Sequence, residues 1–270
     1  MKRKIFITTI SILCTVVITT FSIDAADTLR GRGGTLLSNV LSSKTDLCPE
    51  GMVHLSGTTF SCVDAYEDSP SPACAIQKTA NALDTRSNID DIKCIPQSAP
   101  EVQPWVFIAY HQAVELCARA GKRLPTNTEW YKFSAGTPDT DACVIDQSGL
   151  ATAHADSSCK NAFGVHDAIG NAWEWIDGVV KDGIYDGRTV PDSGYVKAVD
   201  EQGIATLTSP SGEDPAFHED YFWSEKSGEF GMLRGGFYAS GKDGGLYSLQ
   251  AKTPLSFSSG AIGFRCVKDI

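Results

Sequence analysis

Gly170-Asn171-Ala172-Trp173-Glu174-Trp175 is the stretch on which the fold turns. Side chains two apart on an extended backbone point the same way, so Trp173 and Trp175 present two large rings to one side of a strand. Rings of that size fill a core that has little regular structure around it. Upstream, Ala109, Ala113, Leu116, Cys117 and Ala120 recur at three- and four-residue spacing, which predicts a helix from about Ile108 to Ala120. Gly121 stands where a helix usually ends. Thr126-Asn127-Thr128-Glu129 has the form of a capping box and opens a second helix that carries Trp130, Tyr131 and Phe133 into the core. Earlier still, Met52, Val53, Leu55 and Phe60 to Val63 read as two short strands around a Ser56-Gly57 turn. The stretch from Ser69 to Pro104, rich in Pro, Ser, Asn and Asp, reads as a loose insertion that a Cys74–Cys94 disulfide would tie down. Downstream, Asp177 to Gly231 is rich in Gly, Asp, Ser and Pro, which predicts long loops with short strands. Leu233 to Val267 alternates short apolar runs with glycines and predicts paired strands. The whole reads as α+β: two helices with short mixed strands and long loops.

The ends of the chain bear on compartment. Lys2, Arg3 and Lys4 precede an apolar run from Ile5 to Ile23 and the small pair Ala25-Ala26, the layout of a secretory signal. The expected division is a signal peptide over 1–25, a flexible linker over 26–46 containing Arg30-Gly31-Arg32-Gly33-Gly34, and one domain over 47–270. An uncleaved anchor is the alternative, since the run is about long enough to span a bilayer; lipid attachment at Cys14 is disfavoured by the bulky Leu13 before it. Without Cys14, eight cysteines remain: Cys48, Cys62, Cys74, Cys94, Cys117, Cys143, Cys159 and Cys266. An even set in an exported chain reads as a disulfide framework. No C-x-x-C pair supports a zinc or redox motif. Loss of the signal would move the net charge from −10 to −12, and such a surface repels phosphate backbones, so nucleic acid is not an expected partner.

Four ordered stretches resemble the formylglycine-generating-enzyme, or sulfatase-modifying-factor, family. They are Ala120-Gly121-Lys122-Arg123-Leu124-Pro125-Thr126 with Glu129-Trp130; Gly164-Val165-His166-Asp167 leading to Gly170-Asn171-Ala172-Trp173-Glu174-Trp175; Leu233-Arg234-Gly235-Gly236; and Gly263-Phe264-Arg265-Cys266. The resemblance implies a variant of the C-type lectin fold. It also implies a disulfide between Cys117 and Cys266, leaving Cys48 with Cys62, Cys74 with Cys94, and Cys143 with Cys159. In these motifs Arg123 and Arg265 carry forked donors suited to clamping carbonyls or carboxylates.

The family's enzyme holds copper between two thiolates, the soft ligands that copper(I) demands, a few residues after Arg-Gly-Gly. Here Ser240 and Gly245 stand about where those thiolates belong, so no copper is expected and catalysis is disfavoured. His54, His111, His154, His166 and His218 show no ligand spacing, and no Gly-x-Ser-x-Gly elbow appears. Calcium is the cofactor the resemblance leaves open, through Gly170, Asn171, Ala172 and Glu174, with the oxygen donors that ion prefers.

The C-terminal run from Arg234-Gly235-Gly236 through Gly244-Gly245-Leu246-Tyr247-Ser248-Leu249 to Gly263 also resembles the variable region of retroelement-diversified proteins. In those, a lectin-type scaffold displays exposed residues that differ between copies. Leu249 and Ala251 alternate with Gln250 and Lys252, as in a strand with one solvent face. The expected ligand-binding set is Tyr238, Ser240, Asp243, Tyr247, Gln250, Lys252, Leu255, Phe257 and Ser258, a Tyr- and Ser-bearing composition suited to a paratope. The expected function is therefore an exported, non-catalytic ligand-binding protein, secreted, periplasmic or at the cell surface, with a protein or glycan partner. The alternative is an oxidoreductase of the family with an altered or lost active site. Contact with a membrane is expected only if the N-terminal segment stays uncleaved.

Overall fold

The computed structural model describes residues 48–55 and 62–270. The expected signal, linker and Ser56-Gly57 turn lie outside them.

Trp173–Lys181 forms the longest strand, β5, and both of its faces are covered. Trp173, Trp175 and Val179 point to one side, Glu174, Ile176 and Val180 to the other. On the first side lies α2, Tyr110–Arg119, with Ala113, Leu116 and Cys117 inward. On the second lies α3, Asn127–Ser134, whose Trp130 and Phe133 are fully buried. A strand buried on both faces needs partners along both edges, and the apolar runs downstream provide them.

Glu229–Arg234 (β11) and Leu249–Pro254 (β12) follow in antiparallel order from β5. Tyr221–Ser224 (β10) then pairs parallel to β12, and Gly194–Val199 (β8) and Ala205–Ser209 (β9) complete that side. The hairpin Ile184–Tyr185 (β6) and Arg188–Thr189 (β7) and the short parallel strand Ile262–Phe264 (β13) close the other. A second, three-stranded sheet joins Met52–His54 (β1), Cys62–Asp64 (β2) and Val267–Lys268 (β14). Asp68–Pro70 (β3) pairs with Pro96–Ser98 (β4).

The capping box is present: the Thr126 hydroxyl accepts the Glu129 N–H and the Glu129 carboxylate accepts the Thr126 N–H. Gly121 has φ +66°, the left-handed turn that ends α2. All four disulfides join the cysteines as expected, with Cys117–Cys266 tying α2 to the chain's last segment across 149 residues.

Two expectations need correcting. A third helix, α1, spans Ala82–Asp90 inside the stretch expected to be loose. Its buried face is polar: Thr85 donates to the Val106 carbonyl and accepts the Trp105 indole N–H, while Asn88 bonds both the N–H and the carbonyl of Ile76. Apolar periodicity is blind to such a helix. Tyr131 also does not enter the core beside Trp130 and Phe133; it is half-buried, its ring lying against Gly203 and tilted toward Tyr247.

Candidate functional site

The four motif stretches meet in space. Arg265, fully buried, donates through Nε to Glu174 Oε1 at 2.7 Å, through Nη1 to the Asp64 carbonyl and through Nη2 to the His166 carbonyl. Trp130 Nε1 donates to Glu174 Oε2 at 2.8 Å. Burial raises the Glu174 carboxyl above its ordinary pKa, while Arg265 beside it holds it down. Arg234, also fully buried, donates to Asn127 Oδ1 and to the carbonyls of Gly203 and Ser248, with the Trp130 ring 5.5 Å away. Burial lowers its pKa to about 10. Arg123 forks onto Glu129 and reaches Asp269. The motif arginines are structural clamps, each satisfying carbonyls or carboxylates that would be costly to bury unpaired.

The residues named for calcium form a different arrangement. Glu174 is spent on Arg265 and Trp130. The Asn171 carbonyl accepts the Tyr238 N–H, its Oδ1 accepts the Ala151 N–H, and its Nδ2 donates to Glu67. Ala172 N–H also donates to Glu67, and the Gly170 N–H donates to the Gly235 carbonyl. The Asn171 amide and the Ala172 N–H converge on the buried Glu67 carboxylate, and the guanidinium on Glu174 repels a cation there. The donor set does not fit calcium.

For copper, the two expected positions carry Ser240, whose hydroxyl accepts the Phe237 N–H and braces a turn, and Gly245. Cys117 and Cys266 come within ligand reach of Asp68, but their sulfurs are bonded to each other. Of the histidines, His54 and His111 are exposed. His166 stacks on Tyr66 with ring centroids 4.9 Å apart, and His154 lies edge-on to His166 at 4.5 Å and tilted to Tyr66 at 5.8 Å. Burial first, then the charges of His154, Lys160 and Arg265, push the His166 pKa down to about 4. His218 Nδ1 lies 3.0 Å from Asp139 Oδ2.

The outward set is divided. Leu249 and Ala251 are buried, Gln250 half-buried and Lys252 exposed, the alternation expected along β12. Asp243 lies in the 3-10 turn Gly241–Asp243; desolvation, then the Asp243 charge, raises the Tyr195 phenol. Phe257 is exposed, Ser258 half-buried, and Leu255 half-buried against the α2 side of the core. Tyr238 is half-buried, with its ring on Phe237. Tyr247 turns away and packs its ring against Phe217, His218 and Tyr131.

Sequence reading missed the residues beside β12. Trp223 is the register partner of Gln250, and Tyr221 that of Tyr195 on β8. Their rings form a continuous run: Trp173 to Trp223 at 5.6 Å, Trp223 to Tyr221 at 4.9 Å, Tyr221 to Tyr195 at 5.1 Å. The signal was present in Tyr221-Phe222-Trp223, where Phe222 is fully buried and its two neighbours are half-buried. Gln250 Oε1 sits among these rings' strands, buried and without a donor among the described residues.

Comparison with known proteins fits this architecture. Formylglycine-generating enzyme of Bos taurus is 26% identical over 194 residues, 62% of this chain and 44% of that protein. Hercynine oxygenase of Mycolicibacterium thermoresistibile is 24% identical over 176 residues, 59% of this chain and 33% of that protein. The chain thus matches less than half the length of either curated relative. Among solved structures, the Major Tropism Determinant I1 variant aligns with 83% of this chain and 53% of its own, at 18% identity and a TM-score of 0.45. The FGE-sulfatase family profile, the Sulfatase-modifying factor enzyme 1-like domain, matches residues 61–270. That match takes in most of the chain together with all four motif stretches, and the chain belongs to this family, on its α+β, C-type lectin-like fold.

Proposed function

We propose that this chain is an exported, non-catalytic ligand-binding protein whose recognition face is the open side of β12, β10 and β8 with the loops around Tyr238 to Asp243 and Leu255 to Ser258. The observation that carries this reading is the half-buried run Trp223, Tyr221 and Tyr195, backed by the buried Trp173, beside Gln250 and Lys252. Rigid aromatic area next to small polar groups binds at low entropic cost, and an acceptor such as Gln250 Oε1, buried without a donor, gains most from a ligand that supplies one. The partner is a protein or glycan outside the cytoplasm. Four disulfides belong to an oxidising compartment, and within that range we place the chain as secreted, periplasmic or at the cell surface. The face is diversified between copies in this reading. Sequencing the coding region and any near-identical repeat beside it tests that: differences at adenines should cluster in codons of the outward set. Differences spread equally over Leu249, Ala251 and Phe222 would remove the diversified face.

An enzyme reading draws on the curated relatives, one named as an enzyme that generates formylglycine and the other as an oxygenase. Against it stand Ser240 and Gly245 at the expected thiolate positions, and eight cysteines committed to disulfides. Copper titration with oxygen uptake on a cysteine peptide separates the two; turnover by the folded protein would overturn the binding reading.

A further inference from the structure

Gly245 is a glycine for reasons of space. A Cβ there would come within 2.2 Å of Asp220 Oδ1 and 2.6 Å of Asp139 Oδ2. Two carboxylate oxygens from separate elements therefore face one point beside the Gly245 backbone. Asp220 is fully buried. Its Oδ2 accepts the Tyr247 N–H, but its Oδ1 has no hydrogen-bond partner among the described residues. Leaving a carboxylate oxygen buried, unpaired and opposite a second carboxylate is among the costlier arrangements a fold can hold. Burial, then the Asp139 charge, pushes the Asp220 carboxyl well above its ordinary pKa, and burial raises Asp139 as well.

The charges around the pair compensate burial only in part: Arg234 draws the Asp220 carboxyl down and His218 draws Asp139 down, yet both stay raised. Arg234 is the cation nearest in effect to Asp220, and its donors go to Asn127, Gly203 and Ser248. Lys242 is held on Glu219 at 2.6 Å. On the solvent side, Asp139 and His218 line a cavity of about 610 Å³ together with Asp146, Glu219 and Lys242. His218 Nδ1 is 3.0 Å from Asp139 Oδ2, a spacing close to that of adjacent ligands in an octahedral shell with bonds of about 2.1 Å. The three side chains form a chain rather than a closed cluster, with Asp139 common to both contacts. The His218 side chain is 43% exposed, with its ring edge-on to Tyr247.

We propose that Asp139 and Asp220 are the inner ligands of a divalent cation of the manganese(II) class, entered from this cavity, with the His218 imidazole closing the solvent side. Two carboxylates with one imidazole suit that class better than the softer ions that thiolates select. The site is separate from the aromatic face and stands or falls apart from it.

The test uses the full folded protein, stripped with EDTA and titrated with manganese chloride, with loss of the free-ion EPR signal and the thermal midpoint as readouts. The expected result is saturable uptake of one ion per chain with a rise in midpoint. Asp220→Asn and Asp139→Asn should each weaken uptake by more than 10-fold, and exposed His218→Gln by roughly 10-fold. Gly245→Ala should also abolish uptake. Asp220→Asn keeps an oxygen for the Tyr247 N–H, and its metal-free midpoint should equal or exceed that of the parent. Absence of saturable uptake by the folded parent overturns the proposal. So does uptake by His218→Gln or the aspartate variants equal to the parent's, which would leave a protonated carboxyl pair and no metal site.

Discussion

Arg265 Nε meets Glu174 Oε1 at 2.7 Å with both side chains essentially sealed from solvent, joining the last strand segment to β5 across 91 residues. Everything else around Glu174 is arranged to make that pair tolerable: the Trp130 indole fills the second carboxylate oxygen, and two carbonyls take the rest of the guanidinium. Removing one partner from such a pair leaves an uncompensated buried charge. Arg265→Ala should therefore cost about 3–5 kcal/mol of stability, read from urea denaturation midpoints. A loss under about 1 kcal/mol would mean that Glu174 is carried by its other contacts.

The disulfides differ in the loops they close. In the chain-entropy account, Cys117–Cys266, spanning 149 residues, contributes about 5 kcal/mol, and Cys74–Cys94, spanning 20, about 3 kcal/mol. Replacing each pair with Ala and comparing thermal midpoints should show the larger fall for Cys117/Cys266. Equal falls would place the effect in local packing instead of chain entropy.

His166 gives the acid side of the stability curve a predicted sign. Its folded pKa of about 4 lies below the ordinary value of 6.5, so the unfolded chain takes up this proton first. Its contribution to stability is intact above pH 6.5 and falls away as pH drops toward 4. Asp167, raised to about 6 chiefly by burial, works in the opposite direction, since the folded state holds its proton more readily between pH 4 and 6. His166→Gln should gain on the parent as pH falls from 7 to 4.5, with Asp167 present in both. A constant difference in midpoint across that range would show that His166 carries no linkage.

Gly235 has φ +92°, and an added Cβ would lie 2.5 Å from the Ala168 carbonyl oxygen and 3.2 Å from Trp130. Neither the backbone carbonyl nor a fully buried indole can give way cheaply. Gly235→Ala should destabilise by more than about 2 kcal/mol, whereas Gly187→Ala, also at positive φ but with nothing within 4 Å, should cost about 1 kcal/mol. Matched unfolding curves for the two variants decide it, and equal losses would assign the whole effect to backbone strain.

Local chemistry was legible along the chain because it depends on neighbours in sequence. The Thr126 capping box, the Gly121 terminus, the paired faces of Trp173 and Trp175 and the β12 alternation all follow from spacings of two to four residues. The family motifs added the Cys117–Cys266 pairing, which no local rule supplies. Tertiary structure alone decided what those residues meet. Glu174 is neutralised by an arginine 91 residues away, α1 is held through polar groups that carry no periodic signal, and Tyr247 turns from the face where its neighbours lie. The aromatic run exists only because β10 pairs in parallel with β12, bringing Trp223 beside Gln250. A sequence encodes the propensities and faces of its segments, but charge compensation and surface composition are properties of pairs of segments, and those pairs form only when the sheet closes.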